Sequence, residues 1–261
     1  MSDTRLAQTD DLSAAAWIGP RLGAFGSGVH GVIPAGFDAY ARILHPADSS
    51  TDEQVRWSTV AAAYGKVAHG LMQFHTLVGV APTDYDVESG PWTGSTPDAG
   101  DLEPDSLTPL LDVLARYTRS ADHCWFCVWE GYGWLRGADQ TVVATLGGTE
   151  PPPVVEHRPA AISFDARVEL PQRNYLLFGG PLDAAREVGD WPTPNWFLPH
   201  SPNIFWPDDV SWCVATEIDL YCTYVGGSRA LIDDLLADQR LEVWEAHLED
   251  PVAHDSDVVN R

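Results

Sequence analysis

A chain of 261 residues, 44% of them apolar, is long enough to bury a core, and 38 acidic against 15 basic residues give it a formal charge of -23. That balance argues against partners recognised through clusters of Lys and Arg, so neither nucleic acid nor an anionic membrane surface is expected. It favours a basic protein partner or a cationic ligand, or serves solubility alone.

The N-terminal run MSDTRLAQTDDL lacks the basic start and apolar core of a signal peptide, and no stretch approaches the ~20 apolar residues of a membrane helix. A cytoplasmic protein with four reduced cysteines is the expectation. The length fits one domain over 15–247, with polar ends at 1–14 and 248–261 expected to be disordered.

Glycines between Trp17 and Pro34 predict turns. Alternation from Phe37 to Leu44 predicts a strand closed by Pro46. Ser50 and Glu53 have capping-box spacing, so a helix is expected through EQVRWSTVAAAYGKV, with Gly65 near its end. Met72 and Phe74 suit a short strand or helix. From Gly79 to Asp105 the chain reads as a long ordered loop around Trp92. Leu107, Leu110, Leu111 and Leu114 predict a helix over 106–118, with Thr108 and Pro109 as an alternative start.

Cys124 to Trp129, CWFCVW, reads as a buried strand, and a weaker one is expected at 141–146. The triple proline at Pro151 to Pro153 marks the place, near 150–158, where a domain boundary would fall. Ile162 to Leu170 alternate and pair, on this reading, with Asn174 to Phe178 as a hairpin. A short helix suits 182–188. Residues 189–210, with many aromatics among prolines, read as a covering loop. Trp212 to Leu220 alternate as one long strand. Gly226 and Gly227 are expected to turn the chain through positive φ, and Ser228 to cap a helix bearing Leu231, Ile232, Leu235 and Leu236. An edge strand at 241–244 completes the reading.

Several residues invite a chemical role. Cys124 and Cys127 have a C-x-x-C spacing, yet residues i and i+3 of a strand face opposite ways, so buried thiols are expected and no metal or cofactor is assigned. Glu217, Asp219 and Glu130 lie beside tryptophans, where an apolar neighbour can raise a carboxyl pKa for acid-base work; otherwise they line a solvated face. Trp134, Trp196 and Trp206 are candidates to line one pocket, with the other tryptophans in the core. Gly226, Gly227, Ser228 and Arg229 fall short of a nucleophile elbow, because too little chain follows to supply the other catalytic groups. The same turn could cradle an anion. The histidines show no H-x-x-x-H or H-E-x-x-H pattern.

The segments GFDAYARILHP, CWFCVWEGYG, PNIFWPDDVSWCVATEID and TYVGGSRALIDDLL resemble those of a family of uncharacterised actinobacterial proteins, over most of the chain from Phe37 to Trp244. The resemblance implies one co-evolved unit in a bacterial cytoplasm, and carries no activity, cofactor or site residue.

The fold class expected is α+β: a largely antiparallel or mixed sheet with about three helices and long aromatic loops gathered near one edge. With no complete catalytic motif, the leading functional expectation is a non-catalytic binding protein that holds a protein partner or small ligand, in an immunity-like role. The alternative is a hydrolase working through Glu217, Asp219 or Glu130 in a tryptophan-lined cleft.

Overall fold

A computed structural model describes residues 5–80, 91–136, 162–193 and 196–261. The expected strand at 141–146 and the triple proline with its boundary lie outside the described residues. Early in the chain come β1 (Ala7–Gln8), β2 (Ala39–Leu44), β3 (Ala47–Asp48) and β4 (Gln54–Val55), then helices α1 (Trp57–Ala63), α2 (Phe74–Leu77) and α3 (Pro104–Leu114). The middle holds β5 (Cys124–Trp129), β6 (Val168–Leu170), β7 (Arg173–Gly180), β8 (Gly189–Thr193) and β9 (Trp196–Pro199). Last come β10 (Ile204–Pro207), β11 (Cys213–Thr216), β12 (Cys222–Gly227), α4 (Arg229–Ala237) and β13 (Val243–Ala246). Nine strands form one antiparallel sheet in the order β1-β7-β5-β10-β11-β12-β2-β13, with β6 also paired to β7. The α+β architecture is as expected, with four α-helices and several short 3-10 helices among the described residues.

The sheet is buried on both faces, which is why its central strands read as continuous apolar runs. Ile43, Phe126, Phe205, Val214 and Val225 lie under the leucines of α3 and α4. On the other face Leu44, Cys127, Ile204, Trp206 and Tyr224 pack against Ile18, Ile33, Trp57, Met72 and Phe74. Cys124 belongs to the first layer and Cys127 to the second, as strand alternation requires. All four thiols are free and buried, and burial pushes that of Cys124 up to about 12.

The largest departure from expectation is β10. Residues expected to form a covering loop supply a central strand between β5 and β11. Pro202 and Pro207 bracket only four buried residues, too few to show a period. The long strand expected from Trp212 to Leu220 is instead a hairpin. Its ladder stops at Thr216, the Leu220 amide donates to the Glu217 carbonyl at 3.0 Å, and β12 returns antiparallel.

Gly226 and Gly227 do not turn the chain. They sit in the β12 ladder opposite Tyr40 and Ala39. A Cβ on Gly226 would fall 2.7 Å from the Phe37 ring and 2.8 Å from Tyr40, and one on Gly227 2.5 Å from Leu231. Close packing, not positive φ, requires glycine here. Ser228 does cap α4, its Oγ accepting from the Leu231 amide at 3.3 Å.

The first helix is shorter than its pattern. Residues 54–55 pair with β3, and α1 starts at Trp57, where the Glu242 carboxylate accepts from the Trp57 and Ser58 amides at 2.6 and 2.8 Å. An anion at a helix N-terminus satisfies orphan donors and meets the positive end of the dipole, and here it comes from a distant part of the chain. Helix α3 begins at Pro104, not at Pro109, which lies inside it. Only 168–170 of the expected strand from Ile162 joins β7. The segment after 248, expected to be a loose tail, is packed against 66–73: buried Asp257 accepts from the amides of Gln73 and Asn260, and Asn260 holds both polar groups of Val67. Asp257 acts through backbone amides, so no periodic apolar signal announces the contact.

Candidate functional site

Strands β8 and β9 form a two-stranded ribbon outside the main sheet. Trp191 and Trp196 stand on it 38% and 41% exposed, and Trp191 meets the Phe197 ring at 4.9 Å. Directly after β9, the His200 Nδ1 lies 2.7 Å from Asp101 Oδ2, while the other oxygen of that carboxylate accepts from the Ser201 amide at 2.6 Å. The His200 ring lies parallel to Trp134 at 5.6 Å, and Tyr132 lies within 6 Å of both. Residues 98–103, the 3-10 turn at 133–136 and the ribbon therefore meet at one corner.

This corner is rich in carboxylates. Burial and the charges of Asp48, Asp98 and Asp105 push Glu103 up to about 7, even though Gln54 donates to it. Asp98 is raised by burial and by Asp101 and Asp48. Burial works against charge on His200, but the hydrogen bond that its Nδ1 donates to Asp101, with Asp190 and Asp98 nearby, holds its pKa above the ordinary value. Burial is the larger cause for the two carboxylates, and the negative charge gathered at the corner adds to it, while for His200 that charge outweighs burial.

Beneath it runs a polar network of the opposite character. Fully buried Asn203 accepts from the Trp129 amide at 2.8 Å and donates to the Tyr132 hydroxyl at 3.0 Å. His45, also fully buried, lies 2.9 Å from the Thr223 hydroxyl, which is 2.8 Å from that of Thr216, and its Nδ1 meets the Asp98 carbonyl at 2.6 Å. A carbonyl can only accept, so Nδ1 carries the proton and Nε2 accepts from Thr223. Hydroxyl, imidazole and orienting acceptor thus line up as in a nucleophile with its base. Thr216 and Thr223, 2% and 0% exposed, lie inside the sheet where a substrate has no access, so the chain serves the fold.

The residues singled out from the sequence are dispersed. Glu217 and Asp219 share one cation, Arg173, whose Nη2 lies 2.7 Å from each, but they stand in the β11–β12 turn and not along a strand. Burial raises the Glu217 pKa against the pull of Arg173. Glu130 accepts from Asn174 at 3.0 Å, and its second oxygen is 3.0 Å from Arg167 Nε, whose own proton points to the Phe164 carbonyl. Of the three tryptophans expected to share a pocket, Trp134 and Trp196 belong to this corner and ribbon, whereas Trp206 is a core residue, edge-on to Trp17 at 5.8 Å. Arg229, expected to help cradle an anion, pairs with Glu245 at 2.6 Å.

Sequence reasoning missed His200, Asp101, Glu103 and Trp191 as a group. The available signal was the acidic run DAGDLEPD, read only as part of a loop. Among the described residues no cluster of three or more His, Cys, Asp or Glu is placed to hold a metal, and no helix is long and apolar enough to cross a membrane. Comparison with protein-family models, curated proteins and solved structures gave no match.

Proposed function

We propose that this chain is a non-catalytic binding protein of the cytoplasm, which holds a positively charged protein partner against the indole-bearing ribbon and the acidic corner beside it. The observation that carries the reading is the pair of exposed indoles, Trp191 and Trp196, on a ribbon adjoining carboxylates whose pKa values are raised by burial and by neighbouring negative charge. Indoles supply contact area at low entropic cost, and an acidic surround steers and orients a basic partner. An immunity-like role, neutralising a basic protein by covering it, suits this chemistry. The arrangement favours hydrolysis less, because Glu217 and Asp219 face one arginine and Glu130 lies apart on Asn174 and Arg167.

The test is an NMR titration of the full chain with a basic decapeptide of alternating Arg and Tyr, against an acidic counterpart. The expected shifts concentrate in 189–200 and 98–103, and Trp191→Ala with Trp196→Ala weakens binding about tenfold or more while changing stability by less than about 0.5 kcal/mol. Uniform shifts over the whole acidic surface, unchanged in the double variant, would overturn the reading.

A further inference from the structure

A second feature lies at the end of β6 and β7. A slot of about 20 Å³, room for one water, opens beside Glu217. Leu22, Val32, Leu170 and Ile204 give it apolar walls, and Arg173, Tyr175 and Glu217 supply its polar groups. The Glu217 side chain is 10% exposed. Phe25, 43% exposed, forms part of the lining, with its ring centroid 5.0 Å from the Arg173 guanidinium carbon. It stands in a turn closed by the Ser27 amide on the Ala24 carbonyl, between Gly23 and Gly28, with Gly26 at φ 76° and Gly28 at φ 135°.

We propose that this slot is a binding site for a small organic cation, an ammonium group on a short apolar stem, with Phe25 as its lid. The charge count selects the sign of the ligand. Arg173 is shared by Glu217 and Asp219, so one guanidinium faces two carboxylates, and an added ammonium completes the neutralisation that an added carboxylate would worsen. The aliphatic walls suit a stem of a few carbons. As it stands the slot is too small for such a molecule, so entry requires Phe25 to swing out, and the glycines on either side of the turn allow it. Burial raises the Glu217 pKa, and a bound ammonium lowers it again. The site is separate from the ribbon and does not depend on the partner reading.

The experiment is a methyl-NMR titration of the full chain with butylammonium chloride and, at equal ionic strength, with potassium butyrate. Expected are saturable shifts of the Leu22, Leu170 and Ile204 methyls with butylammonium alone. Glu217→Gln should weaken binding about tenfold, and Phe25→Ala should speed association by about threefold or more. The absence of saturable shifts in both the natural chain and Phe25→Ala, or equal binding of butyrate, would overturn the proposal. The butylammonium-butyrate comparison uses the natural chain, so it decides the matter even if a variant is misfolded.

Discussion

Two polar regions lie a few residues apart, joined at Asp98, and obey opposite rules. In the inner one, Asn203, Thr216, Thr223 and His45 are buried and each finds a partner. In the outer one, Asp98, Asp101 and Asp190 surround a single imidazole, Glu103 stands by Asp98, and two indoles face solvent on the adjoining ribbon. A satisfied buried network contributes to a unique fold. Negative charge in excess of its counterions at a half-exposed corner costs stability.

The contrast makes the two regions respond oppositely to pH. Burial lowers His45 to about 4, so between pH 6.5 and 4 the unfolded chain binds more protons, and stability falls as the solution is acidified. His45→Gln should remove about 3 kcal/mol of that acid-side loss, read as the difference between urea-unfolding profiles across pH. An unchanged slope would break the account of the inner network.

A smaller effect tests the packing that shapes the sheet. Gly226→Ala places a methyl against Phe37 and Tyr40 and should cost about 2 kcal/mol in the same assay. A neutral result would return Gly226 to the role of an ordinary strand glycine.

The smallest of the three belongs to the corner. Glu103 is raised to about 7, so between pH 4.5 and 7 the folded chain binds more protons, and its contribution falls as pH rises. With allowance for its partial exposure, Glu103→Gln should stabilise the protein by about 1 kcal/mol at pH 8 and leave it unchanged below pH 4.5. Destabilisation at pH 8 would place Glu103 among the structural carboxylates with Asp257.

The sheet's two-sided burial was legible in CWFCVW, the leucine spacing of the two longer helices was legible in 106–118 and 228–237, and Ser228 was legible as a cap. Strand β10 was hidden because four buried residues between prolines have neither alternation nor length. The hairpin at 217–220 was hidden because its turn contains no glycine or proline and continues the alternation of β11. Glu242 caps α1 from 185 residues away, and such a partner cannot be read from local spacing. The corner was illegible for the same reason, since it joins 98–103, 132–136 and 190–200 only in three dimensions.

The most direct test of the central claim is calorimetric titration of the full chain with the basic decapeptide at pH 7, in two buffers of different ionisation enthalpy. A cation seated on the corner lowers the pKa values of Glu103 and His200, so binding should release protons, and Glu103→Gln should reduce the number released. Binding enthalpies that agree between buffers, or proton release untouched by Glu103→Gln, would contradict the account.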